Sequence, residues 1–187
     1  MELWRTMLKL DQSDTYSYIP RTITNAESSD VTLAFCDKNF KDTSGEKLTK
    51  KHSKVFFMVE VPSHVNFASG AVLDAFRGIP APTLNIAGNS IGRFPKHMTQ
   101  NNINAFVYDV IRRINSKHKI GLIRSGGQTG ADWAGIIAGV ALEIDVIATF
   151  PKHFRQRDYS GSDFTSTEQQ ISDRIRTDLD YLSLVLL

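Results

Sequence analysis

The chain has 187 residues, of which 41% are hydrophobic and 22% charged, with a formal net charge of +2 and a pI near 8.7. That length supports one substantial core and is short for two ordinary domains, and the composition is that of a globular protein, not a disordered or membrane-embedded one. Lysine and arginine are scattered along the chain, densest over 47–54, so the charge lacks the arm or stripe of a nucleic-acid footprint.

The N-terminal stretch has no long apolar run ending in small residues, which argues against a secretory signal and makes the cytoplasm the expected compartment. Cys36 is the single cysteine and lies in an apolar run, where a buried structural thiol is expected rather than a nucleophile or half of a disulfide. The five histidines are far apart in sequence and no Cys/His cluster has metal-ligand spacing, so neither a metal nor another cofactor is expected.

In chain order, the runs 31–35, 55–61, 83–87, 120–124 and 145–150 are rich in branched and aromatic residues and nearly continuous in apolar character. Strands buried on both faces have this pattern. Helices are predicted between them at 44–53, 67–77, 100–116 and 131–143. The clearest is 100–116, where Ile103, Phe106, Val107, Val110, Ile111 and Ile114 recur in steps of three and four and share one stripe. A last helix carries Ile171, Ile175, Leu179 and Leu182 on one stripe, followed by an apolar tail; residues 165–187 are expected to pack on a sheet edge or on a second subunit. Alternating strands and helices imply a three-layer Rossmann-like α/β sandwich with a mainly parallel sheet of about five strands, in a single domain. Ligands of such sheets bind beyond the C-terminal strand ends.

The strand at 120–124 runs into Ser125, Gly126, Gly127, Gln128, Thr129 and Gly130, and then into a helix. Glycines allow close backbone approach and the first amides of a helix lack partners, so this loop reads as an anion cradle, or else as a tight turn without a ligand. It is neither a Walker loop, since no lysine follows the last glycine, nor a standard dinucleotide fingerprint. Gly135 and Gly139, one turn apart, would let the helix sit close to the sheet or to a neighbouring helix. Asp132 in its first turn complements the helix dipole or holds a ligand hydroxyl; Trp133 is core or stacks on a base. Thr43, Ser44 and Gly45 form a second small polar loop, an ordinary helix cap or another set of amide donors. Gly88, Asn89 and Ser90 close the third predicted strand in the same manner. Arg21, Arg93 and Lys152, with Arg155, lie near these strand ends in sequence, either as phosphate-neutralising cations or as solvated surface charges.

Residues 123–134, Ile-Arg-Ser-Gly-Gly-Gln-Thr-Gly-Ala-Asp-Trp-Ala, resemble the opening motif of the molybdenum-cofactor-carrier-like family, part of the SLOG superfamily of Rossmann-like nucleotide binders. The segment from Pro151 through Asp158 resembles that family's Pro-Lys-Gly-Arg segment, with His153 where the family carries glycine. Arg21-Thr22, Asn25, Ser29-Asp30, Thr32-Leu33, Ser44-Gly45, Leu48-Thr49 and the 84–88 stretch resemble segments that follow the glycine motif in the family. Here they precede it, so the resemblance, which covers roughly 16–160, implies a circular permutation with new termini opened between Asp163 and Tyr16.

The resemblance implies a pocket for a nucleotide-derived small molecule. Relatives in the superfamily include sensors of NAD-derived or ADP-ribose-type signals, phosphoribohydrolases and a DNA-processing branch. The leading expectation is non-catalytic binding of an ADP-ribose-like or cyclic nucleotide signal, as a sensor or as a sequestering protein, including a viral antagonist of nucleotide-based defence. Phosphoribohydrolase-like hydrolysis and carriage of molybdenum cofactor are the alternatives. The hydrolase motif's glutamate is missing here, since Trp133 stands three residues after Gly130. Partners are expected to exclude membrane and nucleic acid and to include a second copy of the chain.

Overall fold

The structure, a computed structural model, describes residues 4–63 and 65–185, leaving aside the side chains of 65–68. The element order is α1 (Trp4–Met7), β1 (Leu8–Gln12), α2 (Ile19–Glu27), β2 (Val31–Cys36), α3 (Ser44–His52), β3 (Phe56–Glu60), α4 (Val65–Ala75), β4 (Thr83–Gly88), α5 (Gln100–Lys117), β5 (Leu122–Ser125), α6 (Ala131–Ala141), β6 (Val146–Phe150), β7 (Gln156–Arg157), β8 (Asp163–Phe164) and α7 (Glu168–Val185). Short 3-10 turns occupy Ile91–Arg93 and Lys152–Phe154. Among the described residues no helix is long and apolar enough to cross a membrane.

Six strands form one parallel sheet in the order β1-β6-β5-β4-β2-β3, giving a Rossmann-like α/β sandwich. The expected five strands become six because β1 pairs with β6 at an edge, Leu8 opposite Val146. Its Leu-Lys-Leu alternation is only five residues long, too brief to compete with the apolar runs. β3 forms the other edge and is only partly buried, unlike the doubly covered strand its composition suggests; β2 is buried along its whole length. The small β7–β8 hairpin is separate and antiparallel.

The chain reverses direction across the sheet after β3. From β2 it steps outward to β3, then returns over β2 to β4 and continues through β5 to β6. Right-handed crossovers then place α2 and α3 on one face and α4, α5 and α6 on the other, and contacts between α2 and α3, α4 and α5, and α5 and α6 agree. The switch point falls between β2 and β4, where a crevice opens beyond the strand ends.

Each helix has a local reason for its place. Thr99 and Asn102 form a reciprocal capping box that starts α5, and Ile103, Val107, Val110, Ile111 and Ile114 of its stripe are fully buried. Phe106, also on the stripe, is partly buried and meets Phe35 edge-on at 6.2 Å between ring centroids. Ala131 to Val140 of α6 are all buried, as expected of a helix apolar on every side. Its glycines face the sheet: a Cβ on Gly135 would come within 2.5 Å of Ile86, and one on Gly139 within 2.5 Å of Val146 Cγ2.

α7 packs on α5 and α6, outside the helical layer and away from a sheet edge. Ile171, Ile175 and Leu182 are buried and Leu179 is partly buried against the core, whereas Leu186 and Leu187 of the apolar tail lie outside the described residues. α7 also settles the role of Trp133, which is fully buried: its indole N–H donates to Asp178 Oδ2 at 2.6 Å and the Arg174 guanidinium lies 4.0 Å from the ring centroid. Trp133 is core. If α7 is integral to the fold, Ile175→Ala should lower the unfolding free energy by about 2–5 kcal/mol in denaturant titration; a change under about 0.5 kcal/mol would make α7 an accessory helix.

Candidate functional site

A cavity of about 420 Å³ occupies the switch point. Its floor comes from α2 (Arg21, Thr22, Asn25) and the first turn of α3 (Ser44, Gly45, Glu46), preceded by Thr43. One wall is the end of β4 and the loop after it, from Asn85 to Ser90, with Arg93 beyond. The opposite wall is Gly126, Gln128 and Asp132, and Tyr18 and Arg157 stand with them. Thus Arg21, Thr43, Ser44, Gly45, Gly88, Asn89, Ser90, Arg93, Gly126, Gln128 and Asp132 converge on one cavity. Ser125, Gly127, Thr129, Gly130 and Lys152 do not line it.

The glycine loop itself differs from an open anion cradle. Thr129 N–H donates to Gln128 Oε1 at 2.9 Å, Gly130 N–H to Gln100 Oε1 at 2.7 Å, Ala131 N–H to the Asn89 carbonyl at 3.0 Å and Trp133 N–H to the Gln128 carbonyl at 2.8 Å. The Gln128 backbone N–H bonds the Asp132 carboxylate. These donors are therefore committed within the protein. The Thr129 hydroxyl bonds the Arg157 carbonyl, and Ser125 is fully buried with its hydroxyl donating to the Asp132 carbonyl at 2.6 Å. Gly127 abuts the Phe150 ring, and Gly130 at φ +87° holds the N-cap position of α6. Lys152 is exposed, on the 3-10 turn whose backbone bonds Thr15.

Gly126 explains the loop's sequence most directly. A Cβ there would sit 1.4 Å from Arg21 Nη1 and 2.4 Å from Asp132 Oδ2. Those two atoms form a 2.9 Å ion pair whose side chains are only 8% and 7% exposed. Burial raises the Asp132 carboxyl above its ordinary value, and the Arg21 guanidinium and the Gln128 amide draw it back down. A carboxylate thus already occupies the positive end of α6, where the sequence suggested an external anion.

Asn89 is likewise committed to the fold. Its Nδ2 donates to the Phe40 carbonyl at 3.0 Å and to Glu46 Oε1 at 2.8 Å, and its Oδ1 accepts from Asp37 N–H at 2.9 Å. Its backbone bonds Phe35 and Ala131. One buried residue thereby joins β4 to the loop after β2 and to α3 through its side chain, and to α6 through its backbone carbonyl.

The opposite side of the cavity keeps its chemistry available. Thr43 caps α3 with extended backbone but makes no side-chain cap bond, so the first-turn amides of α3 have no intrahelical acceptor. A Cβ on Gly45 would meet nothing nearer than Thr43 Oγ1 at 3.8 Å, so packing does not demand glycine there. Four buried polar atoms at this floor lack any hydrogen-bond partner: Arg21 Nε, Asn25 Nδ2, Asn25 Oδ1 and Glu46 Oε2. Native proteins pair the great majority of such atoms, and each left unpaired costs about 1–3 kcal/mol. Burial lifts the Glu46 carboxyl, countered by its own backbone N–H and by Asn89.

The mouth is basic. The Tyr18 ring has the guanidinium carbons of Arg21, Arg155 and Arg157 at 5.3, 5.5 and 5.4 Å, while Asp163 accepts from the Tyr18 hydroxyl at 2.7 Å and pairs with Arg155 and Arg157. Cys36 takes no part: burial pushes its thiol up to about 12. Among the described residues no group of three or more His, Cys, Asp or Glu side chains is placed to hold a metal ion.

Sequence reasoning missed Tyr18, Glu46 and Arg157, and placed Asn25 only through the family resemblance. Tyr18 is the N-cap of α2 and Asn25 lies within the helix, whose Ile19-Pro20 start is a first-turn proline signal that could have revealed it. Glu46, a lone acidic residue in a polar helix, carried no signal of burial.

The steric relation at Gly126 is testable. Gly126→Ala must displace Arg21 and should cost about 3–5 kcal/mol, the penalty of breaking a buried ion pair. In a double-mutant cycle with Arg21→Ala the two losses should overlap strongly; additive losses would show that Gly126 and the ion pair are independent.

No protein-family model, no curated protein and no solved structure matches the chain, so the reading of this cavity rests on its own residues.

Proposed function

We propose that the protein binds a nucleotide-derived small molecule, of ADP-ribose or cyclic nucleotide type, in the switch-point cavity, and acts as a sensor or sequestering protein rather than as an enzyme. The observation that carries this reading is the convergence of cations, helix-start amides and unpartnered buried polar atoms in one crevice. Arg21 and Arg93 with the first turn of α3 suit phosphate oxygens. Asn25 and Glu46 offer hydrogen bonds that no protein group takes. A cavity of about 420 Å³ falls within the range of small-molecule sites.

Binding is favoured over hydrolysis by the state of Asp132, the carboxylate nearest the phosphoribohydrolase position. Its side chain is held at 2.9 Å by Arg21 and by the Gln128 backbone N–H, contacts that fix it within the protein.

Calorimetry against AMP, ADP-ribose, cyclic ADP-ribose isomers and cyclic dinucleotides should give micromolar or tighter binding to at least one, with no new species in chromatography of the incubated nucleotide. Arg93→Ala should weaken that binding about tenfold or more, the worth of a charge-assisted hydrogen bond. Absence of binding across the panel would contradict the proposal, and nucleotide breakdown abolished by Asp132→Ala would replace it with the hydrolase.

A further inference from the structure

We infer that Asn25 and Glu46 form a subsite for ribose hydroxyls within this cavity. This inference rests on the binding reading above and specifies the ligand class further: a ribonucleotide, not a deoxyribonucleotide or a bare polyphosphate.

Asn25 is 2% exposed and neither atom of its amide has a partner. Glu46 is 5% exposed; Asn89 fixes its Oε1 at 2.8 Å and leaves Oε2 without a donor. Both residues line the cavity, and they come from α2 and α3, which pack together on one face of the sheet. The protein closes every polar atom of the Asn89 side chain and the Thr129, Gly130 and Ala131 amides with its own groups, yet leaves these open.

Chemistry then selects the occupant. An ionised carboxylate only accepts hydrogen bonds, and so do the oxygens of a phosphate diester or a doubly ionised phosphate. In its ionised form Glu46 therefore repels the ligand's phosphates and accepts from a donor. Asp132 also faces it across the cavity and adds to the negative field, while Arg93 is the cation that moderates it. A sugar hydroxyl is a neutral donor and also an acceptor. One hydroxyl can donate to Glu46 Oε2, and its neighbour can donate to Asn25 Oδ1 while accepting from Asn25 Nδ2. A vicinal diol thus carries the donors and the acceptor that these three atoms lack. An adenine edge would match the Asn25 amide through paired donor and acceptor positions, but it leaves Glu46 Oε2 dependent on a further donor, so the diol is the fuller match.

The test uses the full chain and whichever of AMP, ADP-ribose and cyclic ADP-ribose binds most tightly in calorimetry, alongside analogues that lack single ribose hydroxyls. Removal of at least one hydroxyl should weaken binding by about tenfold or more in the wild type. Glu46→Gln, which keeps the oxygen that accepts from Asn89, should shrink that difference to within about threefold. Asn25→Ala deletes an amide with no protein partner, so the fold is expected to persist while discrimination falls. If every deoxy analogue binds like its parent, or if Glu46→Gln weakens parent and analogue equally, the ribose assignment is overturned and nucleotide binding still stands. Binding by none of the parents removes this inference, and the reading beneath it falls with it only if the cyclic dinucleotides also fail to bind.

Discussion

A guanidinium and a carboxylate 111 residues apart in sequence meet at 2.9 Å directly over the bare Cα of Gly126. Buried pairs of this kind gain little net stability, because desolvation offsets their attraction, but losing one partner strands a charge in the interior. The Arg21–Asp132 pair is thus better understood as a constraint than as glue. It obliges α2, from the N-terminal third of the chain, to lie across the start of α6. It also obliges position 126 to carry no side chain. With α2 held there, Asn25 and Tyr18 are brought to the cavity, and the crevice between β2 and β4 acquires its floor.

The fold was largely legible. Every long apolar run became a strand within a residue or two, and the 3.6-residue stripes of α5 and α7 became buried faces. What escaped were elements too short or too polar to show periodicity. β1 has five residues, and α2 is a nine-residue helix whose buried positions are Arg21, Asn25 and Ala26. A helix that buries polar residues leaves no hydrophobic pattern, and α2, which does so, builds one side of this site, whereas α3 is the helix expected at 44–53.

The candidate site was legible in location more than in mechanism. Glycines after a strand signal close backbone approach without saying what approaches. At Gly126 it is the protein's own ion pair, at Gly127 the Phe150 ring, and at Gly130 the loop after β4. Asn89 carried the same ambiguity: a polar residue at a strand end can face a ligand or tie loops together, and its five bonds do the latter. The roles therefore divide by sheet position. The loop after β5 provides a wall, while α2 and the start of α3 present the groups that lack partners. One further element bears on access: the β7–β8 hairpin places Arg157 at the mouth beside Tyr18.

This division is the central claim, and backbone amide chemical shifts test it most directly. On titration with the tightest-binding nucleotide, the account predicts that the amides of Ser44 and Gly45 and the side-chain amide of Asn25 shift most, while those of Thr129, Gly130 and Ala131, already bonded within the protein, stay nearly fixed. Large shifts confined to the glycine loop, with the first turn of α3 unchanged, would contradict it.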